Sequence, residues 1–178
     1  MNVRRKRIQQ LVDDLLIRTK ETNPPINVEA IIKELGIQVV RQKYPKDSDI
    51  SGFVVRRDHV TAIGINSNHS PVRQRFTLAH ELGHVLLHPP TTQELHIDRQ
   101  FSVKFRDEKS SQGLDLEERE ANLFAAELLM PRRCLLPELS QNDGIDLEGN
   151  TAIDAMAKRY DVSSQAFAIR LSTLGYGL

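Results

Sequence analysis

His80 and His84 stand four residues apart, with Glu81 directly after the first, in the run Arg75-Phe-Thr-Leu-Ala-His-Glu-Leu-Gly-His84. On a helix, residues at i and i+4 lie one above the other on one face, so two imidazoles at this spacing can share one metal ion. Glu81 lies beside them, where it can reach a water held by that metal. Leu78, Ala79, Leu82, Val85 and Leu86 form the other face and are expected to enter the core. Gly83 carries no side chain and allows another element to come close.

A catalytic zinc takes a third protein ligand and keeps one position open. Position 90 is Pro, so no third histidine stands ten residues after His80. His88 continues the i+4 series but lies about 12 Å along the axis from His80. It is expected to support a ligand from behind or to lie at the surface. The remaining source is a carboxylate on a second helix. In the segment that begins at Glu117, the residues Glu118, Ala121, Asn122, Ala125 and Leu129 share one face. The alanines let this helix approach the first one closely. Glu118 is then the candidate third ligand, and Asn122, one turn on, is placed to fix a ligand by a hydrogen bond. Glu117 and Glu120 are expected to be solvated.

Such a centre is hydrolytic. Zinc acidifies its bound water and polarises a carbonyl. Glu81 would act as general base on that zinc-bound water and return the proton to the departing amine. An oxyanion donor is also needed, and Tyr44, His88 and His96 are equal candidates.

The elements that must position these groups are legible in the patterning. Ile8, Leu11, Val12, Leu15 and Leu16 form a helical stripe that ends before Asn23-Pro24-Pro25. Asn27 is the expected N-cap of a second helix that stops at Gly36. Three β-like runs follow, at 37–44, 50–56 and 59–66, with Arg57-Asp58 as a turn. They predict a small antiparallel sheet of three to four strands beside the metal helix, with 59–66 as an edge strand open to an extended substrate. The metal helix is expected over 71–88. Residues 89–113 are polar and irregular, except that Phe101, Val103 and Phe105 alternate like a strand. A helix is expected from about Leu114 to Met130, stopped by Pro131, and the remainder reads as helical, with a turn near Asp143-Gly144. The fold class is α+β, mainly helical, in one domain over 1–178 with its C-terminal part, about 131–178, packed upon it.

The 178-residue chain has 24 Lys plus Arg and 24 Asp plus Glu, a net charge of zero. This disfavours a partner held mainly by phosphate contacts, so direct binding to nucleic acid is not expected. Arg4-Arg5-Lys6-Arg7 is not followed by an apolar stretch, so it does not open a signal peptide, and no stretch is apolar enough to span a bilayer. Cys134 is the lone cysteine and reads as a buried apolar residue. A cytoplasmic protein is the simplest expectation.

The run 75–84 together with Glu118-Arg-Glu-Ala-Asn-Leu-Phe-Ala-Ala-Glu-Leu-Leu-Met-Pro131 resembles the ImmA/IrrE family of metallo-endopeptidases. The resemblance extends from the helix before Gly36 to Leu174-Gly175. It implies His80, His84 and Glu118 as zinc ligands and Glu81 as catalytic base. It also implies a partner, a helix-turn-helix repressor that such regulatory proteases cut or inactivate. The likeness is to the compact form of the family, whose repressor is a separate protein. Two other outcomes are consistent with the residues: an anti-repressor that sequesters its partner without cutting it, and a DNA-binding regulator that uses the helix-turn-helix-like segment 153–174. In that segment Ser163 is the expected N-cap, and Gln165 and Arg170 are expected to be exposed for docking. The polar stretch 89–113 is the expected gate over the cleft.

Overall fold

The computed structural model describes residues 3–45, 48–57, 60–88, 95–99, 111–141 and 150–176, with the backbone alone at 95–99, 111–115, 141 and 150. Helix α1 (Arg5–Thr19) buries Ile8, Val12, Leu15 and Leu16, the stripe read from the sequence. Helix α2 (Val28–Glu34) starts at Asn27, whose side chain accepts a hydrogen bond from the Ala30 amide. It ends where Gly36 takes a left-handed φ of 71°.

Four strands make one sheet: β1 (Gln38–Gln42), β2 (Ile50–Arg57), β3 (Val60–Asn66) and β4 (Leu95–Arg99). Their order is β1-β3-β2-β4. Strands β2 and β3 pair as an antiparallel hairpin, and β2 and β4 are also antiparallel. The expectation of a purely antiparallel sheet fails at β1, which runs parallel to β3 with Val39 opposite Ile63. The reason is topological. The chain sets β2 down one strand's width away from β1, and the hairpin brings β3 back into the gap. Because β2 runs opposite to β1, the strand returned into the gap runs alongside β1 in the same direction. Alternation in a sequence marks strands but carries no direction. The same insertion makes β3 an interior strand, so the expected edge at 59–66 is corrected: among the described residues β1 and β4 are the outer strands of this sheet. Ile63 and Ile65 are accordingly at most 1 % exposed.

The strand-like alternation at Phe101, Val103 and Phe105 and the turn at Asp143-Gly144 lie outside the described residues. The gate expected over 89–113 falls largely outside them as well, although β4 lies within that range.

Helix α3 (Pro71–Leu87) is capped by Ser70, with Pro71 in its first turn. It packs against β2 and β3 on one side and against α4 (Ser111–Leu129) on the other. Helices α5 (Arg132–Gln141), α6 (Asn150–Tyr160) and α7 (Ser164–Leu174) complete the chain. Ser163 caps α7, accepting from the Ala166 amide at 3.1 Å. None of the helices among the described residues is long and apolar enough to cross a membrane.

Arg170 was expected at the surface. It is 2 % exposed and donates to Glu127 Oε2 at 2.6 Å and to the Met130 carbonyl at 3.2 Å. The other Glu127 oxygen accepts from the Arg132 amide at 2.9 Å. This buried network fastens α7 to the end of α4 and leaves Arg170 unavailable for a partner or for DNA. Gln165 is exposed, as expected.

Arg170→Ala should cost about 3–5 kcal/mol of unfolding free energy, because Glu127 would keep a buried charge with no cation beside it. Urea denaturation measures this. The double replacement Arg170→Met with Glu127→Leu should recover most of the loss.

Candidate metal centre

Every residue of α3 from Thr77 to His84 is buried, including His80, Glu81 and His84. Buried polar groups must be satisfied by one another or by a ligand. The spacing read from the sequence does what the helix geometry requires: His80 Nε2 and His84 Nε2 are 3.0 Å apart. From α4, Glu118 brings Oε2 to 3.3 Å from His80 Nε2 and Oε1 to 3.3 Å from His84 Nε2. One donor atom from each of the three residues lies within 4.8 Å of the others. The side chain of Glu118 is 36 % exposed, so the cluster faces solvent on its side.

The donor set fits zinc. Ligands held about 2.0 Å from a tetrahedral ion stand about 3.3 Å from one another, close to the separations here. The ring orientation fits as well. His80 Nδ1 is 3.1 Å from Asn122 Oδ1. An N–H donated there leaves Nε2 with its lone pair turned into the cluster. The expected face of α4 therefore places both Glu118 and Asn122 as the sequence suggested.

The approach of the two helices rests on Gly83. A Cβ at this position would stand 3.1 Å from Ala121 Cα and 3.2 Å from its carbonyl oxygen. An added Cβ here would require α4, which carries Glu118, to give by a few tenths of an ångström.

His88 lies beyond the cluster. Its ring is 5.6 Å from that of His84, and its Nε2–H donates to the Glu117 carbonyl at 3.2 Å. Burial pushes its pKa below the ordinary histidine value, against the opposing pull of Glu117 and Glu120. As an oxyanion donor it is compromised, because this N–H is already engaged. The Tyr44 carbonyl accepts from the Asn68 amide, at the side of the sheet away from β4. The backbone of His96 pairs with Val54, and its side chain is not among the described ones.

Glu120 corrects the sequence reading. It was expected in solvent, yet it is 1 % exposed. Arg4 reaches it with a forked pair of hydrogen bonds, and the Arg4 amide adds a third at 2.9 Å. These bonds hold its carboxyl far below the usual range, at about 2. The basic residue that seemed part of a terminal charge cluster is thus a tie between the chain start and α4.

Two further contributors escaped the sequence reading. Arg56 of β2 donates to the carbonyls of Val85 at 3.0 Å and of His84 and His88 at 3.4 Å. A cation on these terminal carbonyls closes the end of α3. The only signal was an arginine near the end of a strand whose preceding residues are uncharged. The other is Gly52 of β2, where a Cβ would stand 2.6 Å from Glu81 Oε1. Its signal was a glycine in a strand interior, which often marks close approach. Cys134 is half-buried, its thiol donates to the Thr22 carbonyl at 3.4 Å, and burial raises its pKa.

Gly83→Val should destabilise the protein by about 1–3 kcal/mol and weaken its uptake of divalent metal. Chemical denaturation and a competitive chelator titration measure the two effects. Unchanged metal uptake would show that Glu118 does not depend on this contact.

Comparison with known proteins identifies the family. The family model described as peptidase M78, the IrrE N-terminal-like domain, matches residues 32–172. A Bacillus phage phi105 protein named "uncharacterized immunity region protein 2" is 31 % identical over 124 residues, covering 70 % of this chain and 68 % of its own. A solved structure titled Mycobacterium tuberculosis transcriptional regulator superposes with a TM-score of 0.63 at 15 % identity. It covers 94 % of this chain, which spans only 46 % of the regulator's length, and it attests the fold alone. The chain belongs to the peptidase M78 family of IrrE N-terminal-like domains.

Proposed function

We propose that this protein is a zinc-dependent endopeptidase that cuts a helix-turn-helix repressor. The observation that carries the reading is the convergence of His80, His84 and Glu118 with a buried Glu81 on the same helix. The name of the phage relative, an immunity-region protein, supports a repressor as the substrate. By this reading residues 1–178 act as one unit in the cytoplasm, with the C-terminal helices packed on the metal-binding part.

His80, His84 and Glu118 would hold the ion. Zinc, when bound, supplies a Lewis acid for the scissile carbonyl and for water. The protein's own residues do the rest. Asn122 fixes the tautomer and the tilt of His80. Gly83 keeps Glu118 within reach of both rings. Glu81 accepts the proton of the attacking water and passes it to the nitrogen of the departing amine. Arg56 holds the end of the helix that carries all three of His80, Glu81 and His84.

A sequestering anti-repressor would need neither a general base nor an open metal position. A DNA-binding regulator is disfavoured by the burial of Arg170 and by the zero net charge.

The purified protein should hold about one zinc per chain, and Glu118→Ala should lower its zinc affinity markedly in chelator competition. Glu81→Gln should keep the metal and lose roughly a hundredfold or more in cleavage of the partner repressor. The fragments are read by mass spectrometry. If Glu81→Gln relieves repression in cells as well as the native protein does, sequestration is the mechanism.

A further inference from the structure

We propose that Gly52 is a positioning residue for Glu81: the missing side chain at this point of β2 sets where the Glu81 carboxylate lies. The inference rests on the metal-centre reading above and extends it to a residue of the sheet. Gly52 is in an interior strand, opposite Ile65 of β3 on one side and Asp98 of β4 on the other. A register shift between Ile50 and Gly52 interrupts the pairing with β4 there, and such bulges redirect the strand locally. At this point β2 meets α3. A Cβ on Gly52 would stand 2.5 Å from Thr77 Cγ2, 2.6 Å from Glu81 Oε1 and 3.1 Å from Glu81 Cγ. Real Cβ atoms do not come this close, so something must shift.

Which group shifts follows from stiffness. The strand pairs with β3 from Gly52 onward and with β4 on either side of the register shift, which limits how far it can retreat. Thr77 is 2 % exposed and β-branched, so its rotamer is restricted. The carboxylate of Glu81 ends a longer, unbranched side chain and is the most compliant of the three. An added methyl therefore presses on Thr77 and displaces the carboxylate, the one group whose position the proton transfer requires. Gly64 makes the contrast. A Cβ there would run into the ring of Phe53, its cross-strand partner. That glycine makes room for packing, whereas Gly52 makes room for a reactive group.

The test compares zinc-loaded wild type, Gly52→Ala, Gly52→Ala/Thr77→Ser and Glu81→Gln. Three readouts are taken: kcat and KM on the partner repressor, affinity for acetohydroxamate by calorimetry, and thermal stability. A hydroxamate chelates the metal and gives its hydroxyl proton to a carboxylate beside it, so its affinity reports the position of Glu81 without any turnover. Gly52→Ala should retain zinc, lose about tenfold or more in kcat with KM little changed, and bind acetohydroxamate about tenfold more weakly. Glu81→Gln should show the same direction of change. Thr77→Ser removes the Cγ2 contact but not the contact with Glu81. The double variant should therefore regain thermal stability without regaining kcat or hydroxamate affinity. Recovery of both in the double variant would make Gly52 a packing residue and overturn the inference, as would wild-type hydroxamate affinity in Gly52→Ala. A wild type that takes up no zinc would sink the metal-centre reading and this inference together. A wild type that holds zinc and cuts nothing, yet whose hydroxamate affinity falls in Gly52→Ala, would sink the peptidase reading and keep the role of Gly52.

Discussion

The contact of α3 with α4 at Gly83 is the constraint on which the centre depends. Two histidines and a glutamate on a single helix do not make a ligand set, because a third donor has to come from elsewhere at a distance fixed within a few tenths of an ångström. Gly83 and Ala121 let the two backbones approach until Glu118 spans both imidazoles. The same closeness brings Asn122, one turn further along α4, to the back of His80. Ligand and support therefore arrive by one packing event, since residues four apart on α4 face the same neighbour.

That contact would be soft if α4 were held only by apolar packing. It is fixed at its middle and near its C-terminal end by arginines from distant parts of the chain. Arg4, just before α1, grips Glu120 in the half of α4 that carries Glu118. Arg170 of α7 grips Glu127 near its end. The planar guanidinium suits this task because its fork bonds a carboxylate in one orientation. Breaking such pairs leaves a buried charge, so they contribute to a defined geometry more surely than to net stability. Arg56 performs a related duty for α3, bonding its terminal carbonyls from the sheet. Each of the two helices of the centre is thus tied by a cation to an element outside the pair.

The sheet contributes more than a platform. Strand β2 touches α3 at both ends of the turn that carries His80 and His84, with Gly52 against Glu81 and Arg56 against the carbonyl end. A buried carboxylate is costly unless its surroundings are arranged for it. The interior position of β2, paired on both sides, gives that arrangement its rigidity.

The candidate residues could be picked out from the sequence because helical spacing is local. His80, Glu81 and His84 share a turn, and Glu118, Ala121, Asn122 and Ala125 share a face, whatever the rest of the chain does. The helices were legible for the same reason, down to the caps at Asn27 and Ser163. Strand direction, strand order and the location of the fourth strand were not, because a period of two residues says nothing about which strand lies beside which. Glu120 and Arg170 were misplaced at the surface for a related reason. A charged side chain is solvated by default, and only a partner more than a hundred residues away, or some forty away, makes its burial tolerable. Gly52 and Arg56 belong to the same class, since their roles exist only once β2 lies against α3. The sequence by itself determined which groups can do the chemistry. The tertiary structure decided which distant residues hold those groups in place, because that depends on the meeting of segments whose separation along the chain no local pattern encodes.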